Sequence, residues 1–351
     1  MANIFIYGAY GYTGKLVTEV AVARGLKPLL GGRHKGKLQK LAGQYDLPYR
    51  VLQVDDQPGW EQVLADTGLV LNCAGPFELT VHHIVPLCLQ QGVHYLDITG
   101  EIAVFSYIAT LDQQARDRQV TLMPGVGFDI VPTDCLAAML KERLPDGHSL
   151  QLAFQGNSGI SRGTALSMIR KYHEGGLIRK DGELVRVPIA YEVKKINFGG
   201  HQRLCVSIPW GDVFTAYYTT GIPNIRVYTG VSPKMLKQLL AFKKLSWAAR
   251  TAVMQWLMQR LIRQTVKGPS PEQRQQNITW LWGQIKNKEG QQITLEMQTM
   301  ESYQLTAHTA IAAAIKVLDG QAQPGFITPA AAFGADFIRQ FDKTKVKEIH
   351  E

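Results

Sequence analysis

Gly8, Gly11 and Gly14 stand at three-residue spacing near the start of this chain, in the run Gly8-Ala-Tyr-Gly-Tyr-Thr-Gly14. Glycines so spaced, directly after an apolar strand, let a diphosphate approach backbone that carries no Cβ. Ile4, Phe5, Ile6 and Tyr7 supply that strand, a short run with the β-branched and aromatic content of a central parallel strand. A helix over about residues 12–24 is expected next, its first amides meeting an anion with the positive end of the helix dipole. Tyr10 takes the place of the second glycine in G-x-G-x-x-G, so the pattern is the G-x-x-G-x-x-G variant of a dinucleotide loop.

The end of the second strand, Pro28 to His34, is where such folds choose their cofactor. An acid there takes both ribose hydroxyls, and an arginine accommodates a 2′-phosphate. The chain offers Arg33, with His34, Lys35 and Lys37 close behind and no acid. NADP(H) is therefore the expected cofactor, with Arg33 as the planar, bidentate partner. The competing reading of these residues is a solvated basic turn. Asp55, just past a strand over 49–54, is placed to meet the adenine edge or to cap the helix expected at about 59–66. The fourth strand, Leu69 to Asn72, runs into Cys73-Ala-Gly-Pro-Phe77, which should reach the nicotinamide half. Asn72 can bond ribose, and Ala74 and Gly75 leave room. Cys73 reads as a packed small side chain rather than a nucleophile, because no basic residue adjoins it.

Proton chemistry needs an acid at the same sheet edge. The fifth strand, from His94, delivers Tyr95 and Asp97, with Thr99 and Glu101 beyond it. Glu101 could serve a substrate or lie in the first turn of a helix over 101–118. A sixth strand, 120–123, opens into Pro124-Gly-Val-Gly-Phe-Asp129. Asp97, Glu101 and Asp129 are the candidates to line the reacting end, with Tyr95 a candidate proton donor. His82 and His83 are adjacent on one helix and point to different faces, so no metal pair is expected.

These residues require an α/β fold: an N-terminal Rossmann-type parallel sheet, then a second mixed α+β domain. The expected divisions are 1–131 for the nucleotide domain, 132–302 for a substrate or dimerisation domain, and 303–351 for C-terminal helices returning to the first. Strands are expected over 150–155, 183–190, 222–231, 277–286 and 292–299, with helices near 162–173, 211–219 and 303–318. A turn and short helix should follow over 325–334, and the charged tail from Asp342 reads as frayed.

The chain has 351 residues, 45% of them hydrophobic, and a formal charge of +9. Its four scattered cysteines and the absence of a leader or a membrane-length apolar run point to a reducing cytoplasm. Much of the charge lies in a basic amphipathic stretch over 234–266, broken near Ser246. Ala249, Val253, Trp256, Leu257 and Leu261 recur there at helical spacing beside Lys237, Lys243, Lys244, Arg250, Arg260 and Arg263. Peripheral contact with an anionic membrane and a packing or homodimer helix are the two readings. No stacking aromatics pair with these cations in a recognised module, so nucleic acid is not an expected partner.

Taken together, Gly8-Ala-Tyr-Gly-Tyr-Thr-Gly14, Leu71-Asn-Cys-Ala-Gly-Pro-Phe77, His94-Tyr-Leu-Asp-Ile-Thr-Gly-Glu101 and Pro124-Gly-Val-Gly-Phe-Asp129 resemble signatures of the saccharopine dehydrogenase-like oxidoreductases. Among them the chain resembles the trans-acting enoyl reductase family, and Gly268-Pro-Ser-Pro-Glu-Gln-Arg274 and Thr328-Pro-Ala-Ala-Ala-Phe-Gly334 extend the resemblance. It implies that Gly8, Tyr10, Gly11, Tyr12, Thr13 and Gly14 hold the pyrophosphate. It also implies that Arg33, with His34, takes the 2′-phosphate, and that Asn72, Cys73, Ala74, Gly75 and Pro76 hold the nicotinamide ribose. Three functions fit. One is an NADPH-dependent reductase of a lipid or polyketide-type acyl chain, free or carrier-bound. Another is a saccharopine-type reductase acting through an imine, for which Arg162, Arg170, Arg186, Arg203 and Arg226 could bind carboxylates. The third is a membrane-peripheral NADPH-binding protein without turnover.

Overall fold

A computed structural model describes residues 3–156, 159–171, 175–244, 251–266 and 268–349. The chain divides into two compact units, Met1–Val131 with Tyr303–Phe337, and Pro132–Ser302 with Ile338–Glu351.

The first unit alternates strand and helix. Its elements are β1 (Asn3–Tyr7), α1 (Tyr12–Ala23), β2 (Leu29–Gly32), α2 (Lys35–Tyr45), β3 (Tyr49–Val51), α3 (Gln57–Leu64), β4 (Thr67–Asn72), α4 (Val81–Gln91), β5 (His94–Asp97), α5 (Ile102–Ala109), α6 (Asp112–Asp117) and β6 (Thr121–Met123). The strands lie in the order β3-β2-β1-β4-β5-β6, every neighbouring pair parallel. A short strand at Gly325–Phe326 adds a seventh position beside β6. The order reverses between β1 and β4, and doubly wound sheets bind dinucleotides at that point. Parallel strands covered on both faces must be apolar throughout, and Phe5, Ile6, Leu30, Leu69, Val70 and Leu71 are fully buried. The Phe5 and Tyr7 rings meet the Trp60 indole edge-on at 5.5 and 4.9 Å, which locks α3 onto the sheet.

Helix ends follow local chemistry. The Asp56 carboxylate accepts the Gly59 N–H at 3.1 Å and caps α3, so Asp55 is not the cap. Gly92, left-handed at φ +70°, closes α4. The single helix expected over 101–118 is two, because Thr110 turns the chain and its hydroxyl donates to the Tyr107 carbonyl at 2.6 Å.

The second unit is built on a nine-stranded mixed sheet. Strand Asn224–Gly230 runs parallel to Ser149–Gly156, and Ile278–Lys286 and Gln292–Met300 continue the sheet as an antiparallel pair. Ala153, Ile196, Phe198, Cys205, Tyr228 and Trp282 form a buried cluster, with Trp280 packed against it. Three strands here were not expected from the sequence: Gly176–Lys180, Val193–Phe198 and His201–Ser207. The segment Lys345–Ile349 is also a strand, pairing antiparallel with Gln292–Met300. That corrects two expectations, since the tail is not frayed and residues from Ile338 belong to the second unit. Its alternating lysines, Lys345 and Lys347, are characteristic of a guarded sheet edge and look like a tail in sequence. The break expected near Ser246, together with Ala249 and Arg250, lies outside the described residues. Among the described residues no helix is long and apolar enough to cross a membrane.

Candidate nucleotide-binding and reaction site

The glycine loop follows β1 directly. Gly8 sits at φ +80°, where only glycine is comfortable, and its N–H donates to the Gly31 carbonyl at 2.9 Å. A Cβ there would lie 2.7 Å from the Ala74 nitrogen, so the first loop and the loop after β4 touch through bare backbone. A Cβ on Gly14 would collide with the Gly8 carbonyl oxygen, so Gly14 allows α1 to press on the loop. Gly11 is the N-cap of α1 without a side-chain bond, and the first turn carries no acid. Tyr10, Gly11, Tyr12 and Thr13 are half-buried around this helix start. The Tyr12 ring is held edge-on by Tyr303, centroids 4.9 Å apart.

At the end of β2, Arg33, His34, Lys35 and Lys37 are all exposed, and α2 has no acid in its first turn. The Tyr10 ring lies 5.7 Å from the His34 ring, with the Lys37 ammonium 5.7 Å from its centroid. Burial and the neighbouring Tyr10 phenol push the Tyr7 phenol up to about 12, against the pull of Arg33. Asp55 is exposed and lines a cavity of about 240 Å³ with Val54, Gln57, His82 and His83. Among the described residues no group of histidines, cysteines and carboxylates could hold a metal.

The loop after β4 is organised by Asn72, which is fully buried. Its side chain donates to the Thr80 hydroxyl at 3.0 Å and the Tyr95 hydroxyl at 3.1 Å, and accepts the Ala74 N–H at 2.9 Å. Asn72 thus shapes the loop from inside, a correction to its expected bond to ribose. Cys73 is half-buried, and desolvation with the Asp97 carboxylate nearby raises its thiol well above the ordinary range. It stays protonated and is no nucleophile. The peptide between Gly75 and Pro76 is cis.

Tyr95 and Asp97 are also corrections: both are fully buried within the sheet. The Tyr95 hydroxyl donates to Asp97 Oδ2 at 2.9 Å, and Asp97 Oδ1 accepts the Thr99 and Gly125 N–H groups, each at 3.0 Å. Burial pushes the Asp97 carboxyl up to about 7 despite these donors. It ties the ends of β5 and β6 together rather than meeting a ligand.

Glu101 is the N-cap residue of α5, but its side chain makes no capping bond to that helix. Its two oxygens accept the Phe77 and Glu78 N–H groups, each at 3.2 Å, clamping the far end of the β4 loop. Asp129 stands beside it: its Oδ2 would be 2.8 Å from a Cβ on Gly100. Desolvation and the Glu101 carboxylate push Asp129 up to about 7. Asp129 is half-buried, in contrast to Asp97. Two further residues were not foreseen. Thr306 accepts the Phe128 N–H at 3.0 Å and Thr309 donates to the Val126 carbonyl at 2.8 Å, so the helix Ser302–Leu318 braces the loop carrying Asp129. Threonines one turn apart in an alanine-rich helix were the available signal.

The candidate arginines of the imine reading are dispersed within the second unit. Arg226 is paired with Glu192 at 3.0 Å, Arg186 and Arg203 are exposed on different strands, and Arg162 reaches the Val266 carbonyl at 3.4 Å. The side chain of Arg170 lies outside the described residues.

Comparison with known proteins agrees with this geometry. Residues 4–123 match the family model for the saccharopine dehydrogenase NADP binding domain. A saccharopine dehydrogenase-like oxidoreductase of Mus musculus is 28% identical over 153 residues, covering 38% of this chain and 35% of that protein. A lipid droplet localized protein of Caenorhabditis elegans is 23% identical over 248 residues, covering 60% of this chain and 57% of its own. A Mycobacterium tuberculosis protein named as a candidate trans-acting enoyl reductase is 28% identical over 183 residues, 48% of this chain and 43% of that one. The matches thus span about a third to somewhat over half of these relatives. In structure, saccharopine dehydrogenase (L-Glu forming) from Saccharomyces cerevisiae aligns over 100% of both chains with a TM-score of 0.67 at 14% identity, which establishes the fold. The glycine cradle, the acid-free helix start and the exposed cations after β2 suit a phosphorylated dinucleotide, in keeping with the match of residues 4–123 to the saccharopine dehydrogenase NADP binding domain.

Proposed function

We propose that the chain is an NADPH-dependent reductase of an activated double bond in a small acyl substrate, free or carrier-bound, with Asp129 as proton donor. The observation that carries this reading is the Asp129 carboxyl itself. It is reachable, stands beside the loop after β4, and is pushed up to about 7 by desolvation and Glu101. A carboxyl so tuned holds a proton at neutral pH and can release it, the range in which general acids work best.

Bound NADPH would supply the hydride, so the protein need only align it and deliver one proton. Gly8, Gly11 and the amides at the start of α1 seat the pyrophosphate, while Tyr10, Tyr12 and Thr13 wall the same loop. Arg33, assisted by His34 and Lys37, receives the 2′-phosphate, and Val54 and Asp55 flank the adenine. Cys73 to Pro76 face the nicotinamide ribose, held by Asn72 behind them and Glu101 at their far end. Asp129 would hold the proton for the atom of the substrate double bond that does not take the hydride, and solvent would reprotonate the carboxylate afterwards. An acyl group is favoured over an imine between charged partners because Arg226 is already neutralised by Glu192. The name of the mycobacterial relative supports the same substrate class. The basic stretch over 234–266 suits a substrate presented at a lipid surface.

Asp129→Asn should lower NADPH oxidation with α,β-unsaturated acyl thioesters about a hundredfold while leaving NADPH affinity unchanged. Unaltered turnover would remove Asp129 from the mechanism. Oxidation only with an amino acid and aldehyde pair would replace the acyl reading.

A further inference from the structure

We propose that the basic helices Pro233–Lys244 and Ala252–Thr265 provide a docking surface for an anionic lipid surface. It stands independently of which bond is reduced. No acidic residue occurs between Asp212 and Glu272, while Lys234, Lys237, Lys243, Lys244, Arg250, Arg260, Arg263 and Lys267 fall in that interval. Within the same interval Met235, Leu240, Met254, Trp256 and Leu261 are exposed, Trp256 at 58% and Leu261 at 59%. These two are the most exposed large apolar side chains among the described residues.

Helix Ala252–Thr265 turns its other side inward. Ile262 is buried, the helix lies beside Arg162–Lys171, and Arg162 holds its end through the Val266 carbonyl. Met254, Trp256, Arg260 and Leu261 therefore share the outer arc, with the Arg260 guanidinium 5.3 Å from the Trp256 ring centroid. An amphipathic indole and aliphatic side chains, in a stretch of sequence whose charged residues are all cations, match the boundary between acyl chains and anionic headgroups. A second copy fits poorly. A twofold interface would place this patch against itself, bringing two acid-free basic surfaces together. Nucleic acid would satisfy the cations and leave Trp256 and Leu261 in water.

The test is sedimentation of the intact protein with vesicles, without substrate. The protein should pellet with vesicles of 3:1 phosphatidylcholine to phosphatidylglycerol, and not with phosphatidylcholine alone. Binding should fall steeply between 0.1 and 0.5 M salt, on the order of the Debye screening of a surface interaction. Trp256→Ser with Leu261→Ser should weaken partitioning by about tenfold or more, at unchanged NADPH affinity. Trp256→Phe, a mild change, should abolish the component of tryptophan quenching by brominated lipid. Equal pelleting with neutral vesicles, full quenching in Trp256→Phe, or a wild-type dimer that the double substitution splits without altering vesicle binding would each overturn the proposal.

Discussion

The two halves of the first sheet solve opposite problems. At β1 and β2 the site is bare: backbone amides, glycines pressed against one another, and cations standing in solvent. At β4, β5 and β6 it is dense, because Asn72, Thr80, Tyr95, Asp97, Thr99 and Glu101 are joined by hydrogen bonds under a surface that offers Asp129. A diphosphate needs open donors and close approach. A reacting atom needs a loop whose position is fixed from behind, since small misplacements are costly to rate. Polar residues in the first half therefore stand open to solvent, and most of those in the second half bond to each other.

The largest effect should come from the dense half. Asp97→Ala removes the acceptor of three buried donors and should cost about 3 kcal/mol or more of unfolding free energy. Chemical denaturation measures it, and a loss below 1 kcal/mol would show that the network is not what holds β5 to β6. In the bare half, Gly11→Val should leave folding intact, because Gly11 has φ −64° and only the Gly8 carbonyl oxygen, at 3.1 Å, near its added Cβ. NADPH binding, followed by cofactor fluorescence, should nevertheless weaken roughly a hundredfold as the side chain fills the phosphate seat. Arg33→Ala should weaken NADPH about tenfold and NADH hardly at all. Equal loss for both would make Arg33 a solvated surface residue.

The smallest effect concerns acid. A carboxyl with a folded value near 7, above its ordinary 3.8, contributes stability that is complete below 3.8 and lost as the pH rises through 7. Asp129→Asn should thus melt higher than wild type at pH 8, by roughly a few degrees, with the gap closing towards pH 4. A gap that widens on acidification would reverse the assigned shift.

The bare half was largely legible in the sequence. Gly8, Gly11 and Gly14 mark backbone geometry, a local property, and Arg33 follows them at a distance set by one helix and one strand. The dense half was only partly so. Asn72, Tyr95 and Asp97 read as ligand groups because their types suit chemistry, yet each lies on a strand buried on both faces, where a polar side chain must bond inside the protein. The apolar neighbours of Tyr95 and Asp97 in the sequence mark that burial, and they outweigh the residue types. The strands Val193–Phe198, His201–Ser207 and Lys345–Ile349 escaped because charged and apolar residues mix along them, so that pairing partners decide them more than pattern does.

The brace on the loop before Asp129 has a consequence for biosynthesis. Thr306 and Thr309 lie 178 and 183 positions downstream of the groups they hold. The nucleotide-binding unit cannot finish assembling while the ribosome is still making the intervening domain, and a fragment truncated at residue 131 would expose the amide of Phe128 and the carbonyl of Val126 that the late helix satisfies.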